Sequence, residues 1–177
     1  SIKLDKGVAV YGINGSKLVN NGKITVASGA GIAGIGTGRT KQEYGTDVKN
    51  SATLGGTKTV EIENHGTINV SDDNSVGMYA AGSGSKAINR GTINLSGNNT
   101  TGMYIDRFAT GENYGTIQTT PTANGAGIKG VVVANGGVIK NYGTINIVGS
   151  GNTGVYTDVA SAYQIQGGSS NTSTNAS

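Results

Sequence analysis

Two stretches decide the fold: NHGTINVSDDNSVGMYA from Asn64 to Ala80, and NRGTINLSGNNTTGMYI from Asn89 to Ile105. They are nearly the same letters 25 residues apart. Three further copies follow the same plan: NNGKITVASGAGIA from Asn20, NYGTIQTTPTANGAGIK from Asn113 and NYGTINIVGSGNTGVYT from Asn141. A period of this size marks a stack of small units, none of which can bury its apolar face alone.

Within one unit the alternation is that of a strand. Asn64, Gly66, Ile68 and Val70 share one parity and His65, Thr67, Asn69 and Ser71 the other, so the first set is expected inward and the second outward. After a polar turn a second short strand, Val76 to Tyr79, is expected with Val76 and Met78 inward. A third strand leads back to the next Asn, with Leu18, Ile62, Ala87, Gly111 and Ile139 two positions ahead of it. Stacking such coils pairs every strand with its copies above and below, at about 4.8 Å. The expected fold is all-β: a right-handed parallel β-helix of about five to six coils over residues 1–166. Its inward columns are Ile24, Ile68, Ile93, Ile117, Ile145 and Ile32, Met78, Met103, Ile128, Val155.

Composition agrees. Val and Ile number 31 against 4 Leu, which favours strands over helices. A net charge of +3 is too small to hold the chain open by self-repulsion. Without cysteine there is no disulfide framework and no thiolate metal site. Scattered basic residues give no nucleic-acid footprint, and no apolar run approaches the length of a membrane-spanning helix.

Asn20, Asn64, Asn89, Asn113 and Asn141 open every unit and are expected to form a ladder of side-chain amides, each donating to one neighbour and accepting from the other. Gly22, Gly66, Gly91, Gly115 and Gly143 follow two positions later, where the bend is expected to need small or positive-φ residues. The interval from Asn20 to Asn64 is 44 residues, and its surplus at about 37–57, carrying Arg39, Lys41 and Tyr44, reads as an inserted loop, with a degenerate extra coil as the alternative. Residues 167–177 are rich in Gly, Ser, Asn and Thr and read as a tail or linker. GVAVY at Gly7 to Tyr11 reads as the end of a further unit.

The pattern NxGTINVS, a polar turn, then GMYA or GVYT resembles the passenger repeats of large Gram-negative autotransporter adhesins of the fusobacterial type, over Gly7 to about Val159. The resemblance implies a secreted, cell-surface protein anchored through a C-terminal outer-membrane barrel outside this sequence. It implies attachment to a host-cell or bacterial surface protein or glycan. The same fold in a secreted toxin, as a receptor-binding or oligomerising part, is the alternative.

Catalysis has little to stand on. Asp106 and Asp158, each two residues after its repeat's Tyr, are expected in one column two coils apart with Val131 between them, but no third acid or base joins them. His65 is the lone histidine and has no identifiable triad or metal partners. A Thr ladder at Thr67, Thr92, Thr116 and Thr144 has Asn69, Asn94, Gln118 and Asn146 beside it, not the second Thr row that ice binding would need. No enzyme activity, cofactor or metal is expected.

Two outward columns stand above this background. One is Asn21, His65, Arg90, Tyr114, Tyr142, and the other is Ala33, Tyr79, Tyr104, Lys129, Tyr156. Rows of exposed rings and cations either shield the strand edges from solvent and add cross-strand contacts, or stack on sugars and seat a protein side chain. With Arg39, Lys41 and Tyr44 of the insertion they are the candidate binding residues.

Overall fold

The computed structural model of the protein describes residues 1–13, 15–36, 59–158, 161–165 and 170–174. These hold strands β1 (Ile2–Ile13), β2 (Lys17–Asn20), β3 (Lys23–Ile35), β4 (Glu61–Asn64), β5 (Thr67–Val70), β6 (Val76–Ala81), β7 (Lys86–Asn89), β8 (Thr92–Leu95) and β9 (Thr101–Asp106). They continue with β10 (Thr110–Asn113), β11 (Thr116–Thr119), β12 (Lys129–Val133), β13 (Val138–Asn141), β14 (Thr144–Val148), β15 (Thr153–Thr157), β16 (Ala162–Ile165) and β17 (Ser170–Thr174). No helix occurs among the described residues.

Strands a full turn apart pair in parallel, giving three faces. The first holds the start of β3, then β5, β8, β11, β14 and β17; the second holds the end of β3, then β6, β9, β12 and β15. The third holds β2, β4, β7, β10, β13 and β16, six strands at one per turn. The molecule is a parallel β-solenoid of about six turns, as the repeats require. Ile24, Ile68, Ile93, Ile117 and Ile145 pair rung on rung at zero exposure. Each such side chain contributes about 1.5–3 kcal/mol of burial.

The amide ladder is present. Asn20 Nδ2 donates to Asn64 Oδ1 at 2.8 Å, Asn64 to Asn89 at 2.9 Å, Asn89 to Asn113 at 2.8 Å and Asn113 to Asn141 at 2.7 Å. Gly66, Gly91, Gly115 and Gly143, two positions on, serve close approach, not a special dihedral. A Cβ on Gly91 would stand 2.0 Å from the Gly66 carbonyl oxygen, and one on Gly66 1.9 Å from that of Gly22.

Four details depart from the sequence reading. First, the second-face core column is Ile32, Met78, Met103, Val131, Val155, so Val131 and not Ile128 is the fourth rung. The turn before β12 is four residues longer than its counterpart before β9, and GIK mimics GMY three residues too early. Ile128 is still buried, at a corner. Second, Val76 is half-buried and lines an outer hollow. Alternation breaks at Gly77, whose missing side chain would point at Ile93. Third, β1 contains a first-face segment as well, with Ile2 and Leu4 on Ile24 and Val26. Fourth, pairing continues past residue 166, because β17 lies beside β14 within the stretch read as tail. The insertion read at 37–57, with Arg39, Lys41 and Tyr44, lies outside the described residues.

Candidate binding surface

The backbone fixes the first outward column. The N–H groups of His65, Arg90, Tyr114 and Tyr142 donate to the carbonyls of Asn20, Asn64, Asn89 and Asn113 at 2.7–2.8 Å, so each side chain stands one rung above the last. Tyr114 and Tyr142 stack face on face, centroids 4.5 Å apart and planes within 5°. The Arg90 guanidinium carbon sits 4.5 Å from the Tyr114 ring centre, a cation–π contact. Tyr114 also donates its hydroxyl to Glu112 Oε2 at 3.0 Å; desolvation first, then this bond, raises its phenol pKa.

His65 turns the other way. Its Nε2 lies 2.7 Å from Glu63 Oε2, and Lys17 Nζ bridges Glu61 at 2.7 Å and Glu63 at 3.1 Å. The His65 bond, then the Lys17 bond, pulls the Glu63 carboxyl down to about 2. The hydrogen bond to Glu61, followed by that to Glu63, raises Lys17. This cluster clamps β2 to β4.

The second outward column runs Tyr11, Ala33, Tyr79, Tyr104, Val132, Tyr156. Lys129, expected among the tyrosines, pairs instead with Thr101 and Thr153 and gives its Nζ to the Gly127 carbonyl at 3.3 Å. It falls out of the column by the same three-residue slip. Tyr79 and Tyr104 have ring centroids 5.5 Å apart, tilted by 49°. The Tyr79 hydroxyl donates to Asp106 Oδ2 at 2.8 Å. Burial above all, then that bond, raises the Tyr79 phenol well above its ordinary range; burial, then the charges of Asp106 and Asp158, raises Tyr104.

The two acids share a column as expected, but the residue between them is Ala134, not Val131. Both are engaged by the neighbouring Asn135. Its side-chain amide donates to Asp106 Oδ1 at 2.7 Å and its backbone N–H to Asp158 Oδ2 at 3.0 Å. Arg107 Nε lies 3.4 Å from Asp106, and the Ser161 hydroxyl binds Asp158. The Ser161 bond, then the Asn135 N–H, lowers the Asp158 carboxyl, opposite to the shift a general acid requires. The geometry is that of a braced corner. Among the described residues no group of three or more His, Asp or Glu is placed to hold a metal.

That corner also carries residues that sequence reasoning did not single out. Arg107 and Phe108 have φ of 47° and 62°, and the Ala109 N–H closes the turn on the Asp106 carbonyl at 3.1 Å. One coil on, the same turn is made by Asn135 and Gly136, the residue types this geometry favours. Writing the repeats in register exposes the substitution of Arg-Phe for Asn-Gly. Phe108 remains 46% exposed, its ring lying over Gly136 of the following coil.

No curated protein and no solved structure matches the chain. Residues 4–115 match the family model described as the BigA third pectate lyase-like domain. That span covers the N-terminal coils through the Asn113 rung, well over half of the sequence, and the chain belongs to the family of BigA third pectate lyase-like domains.

Proposed function

We propose that the chain is a structural and adhesive segment of a secreted, surface-anchored bacterial protein of the autotransporter type, attaching to host or bacterial cells through a surface protein or glycan. The observation that carries this reading is the ordered, solvent-facing stack of Arg90, Tyr114 and Tyr142, held rung on rung by the backbone beneath it. Rings and cations fixed in advance lose little side-chain entropy when they bind, which is where affinity is usually lost. Family membership supports the same reading, since BigA is a bacterial surface autotransporter-like adhesin.

Binding, not turnover, is the proposed activity. The two acids are occupied by Tyr79, Arg107, Asn135 and Ser161, and the column between them is closed by Ala134. The test is attachment of the purified chain to host-cell and bacterial surfaces, comparing the parent with Tyr114→Ala plus Tyr142→Ala and with Asp106→Ala plus Asp158→Ala. Attachment weakened tenfold or more by the tyrosine pair supports the proposal. Attachment lost only with the acid pair, or products released from a polysaccharide by the parent, overturns it.

A further inference from the structure

Two phenols meet face on face at Tyr114 and Tyr142, with centroids 4.5 Å apart and planes within 5°. They leave equivalent positions of neighbouring coils, about 4.8 Å apart. Side chains whose roots and ring centres keep the same separation run in the same direction. The hydroxyl ends therefore lie together, and a carbon ortho to one hydroxyl faces its counterpart. The Arg90 guanidinium covers the other side of Tyr114, 4.5 Å from the ring centre. The Tyr114 hydroxyl donates to Glu112 Oε2 at 3.0 Å, and the residue stays 40% exposed. Other tyrosines are placed differently. Tyr79 and Tyr104 lie 5.5 Å apart and tilted by 49°, with the Tyr79 hydroxyl given to the buried Asp106. Tyr11 and Tyr156 have Ala33 and Val132 on the adjoining rungs.

We propose that Tyr114 and Tyr142 are an oxidative crosslinking site, joined by a peroxidase and hydrogen peroxide into dityrosine, a covalent staple between two coils of a chain that has no cysteine. Each phenol gives one electron to the peroxidase and releases one proton, that of Tyr114 to Glu112 and that of Tyr142 to solvent. The two phenoxyl radicals couple through their ortho carbons. One C–C bond forms, each ortho hydrogen is lost as a proton, and each oxygen regains one. Two electrons and two protons leave in all, and hydrogen peroxide takes them up to become two waters. Alignment selects this pair, because radicals already stacked couple within one molecule instead of awaiting an encounter. Arg90 acts in the same direction: it leaves Tyr114 open only on the face turned to Tyr142.

The purified chain is treated with a haem peroxidase and one equivalent of hydrogen peroxide. Dityrosine fluorescence gives the rate, and mass spectrometry of a tryptic digest gives the place. Cleavage after Arg107, Lys129 and Lys140 puts the two tyrosines in different peptides. Thermal melts before oxidation check that each variant is folded. The expected result is a monomer lighter by two hydrogen atoms, in which the linked peptides join Tyr114 to Tyr142. Tyr142→Phe keeps a stacked ring and should lower the dityrosine yield at least tenfold, and Glu112→Gln should slow its formation at least threefold. The linked form should unfold at higher urea than the parent, since a crosslink restricts the unfolded chain. Linkage chiefly through Tyr79 and Tyr104, linkage between molecules, or an equal yield from Tyr142→Phe overturns the site. An unchanged rate in Glu112→Gln overturns Glu112 as the proton acceptor, and an unchanged urea midpoint overturns the staple. No cell surface is present in this experiment, so crosslinking and attachment can each fail alone.

Discussion

The phenol of Tyr79 donates to the carboxylate of Asp106, one coil away, at 2.8 Å. Asp106 is 5% exposed and takes a second bond from Asn135, so a surface ring, a buried acid and a turn on the following coil are tied into one unit. Through this unit the outward column is coupled to the stability of three coils.

Removing the phenol therefore has a measurable cost. Tyr79→Phe keeps the ring but takes one donor from a buried carboxylate, and hydrogen bonds to charged groups contribute about 1.5–3 kcal/mol. A urea melt should show a loss in that range. The pH dependence adds a signature. The folded-state pKa of Tyr79 is raised, so its contribution is complete below the unfolded value near 10 and is lost as pH climbs toward the folded one. Above pH 10 the parent should lose stability faster than Tyr79→Phe.

The acid side has its own test. Glu63 is held at about 2 by His65 and Lys17, with 13% of its side chain exposed. A lowered folded-state pKa gives stability that is present above the unfolded value of about 4.5 and is lost as pH falls from there to about 2. Melts between pH 6 and pH 2 should show the parent's advantage over Glu63→Gln shrinking across that window. A constant difference would place the stabilisation elsewhere.

Position along the ladder should set the cost of breaking it. Asn89 is fully buried and bonded on both sides, so Asn89→Ala takes a ladder bond from Asn64 and from Asn113, at about 1–3 kcal/mol in each case. Among the described residues Asn20 is the first rung, with one side-chain bond to a ladder neighbour and partial exposure. Asn20→Ala should cost about 1 kcal/mol. Equal losses in denaturant melts would contradict a ladder of shared amides.

Register can be tested at the slipped coil. Val132 lies between Tyr104 and Tyr156, and Val132→Tyr should add a cross-strand aromatic contact of about 0.2–1 kcal/mol. Lys129→Tyr, facing threonines, should not. In the core, Ile93→Asp places a charge in a column of zero exposure and should abolish the cooperative melt, while Ile93→Val should cost about 0.5–1.5 kcal/mol.

The sequence by itself determined the period, the strand alternation, the Ile column, the Asn ladder and the column of His65, Arg90, Tyr114 and Tyr142. All of these lie within a few residues of an invariant Asn, so no variable turn separates them from their marker. Tertiary structure decided what lies beyond the turns. Four extra residues ahead of β12 moved Val131 and Val132 into the places the letters offered to Ile128 and Lys129. It decided that Asp106 and Asp158 brace a corner through Asn135, and that Gly91 is glycine because the Gly66 carbonyl oxygen occupies the space of its Cβ. It also placed Tyr11 and Tyr79, residues 68 positions apart in the chain, on one surface hollow. The reason is common to all of these. In a solenoid the neighbours of a side chain are one coil away, and turn length, which local patterning does not constrain, chooses which residues they are.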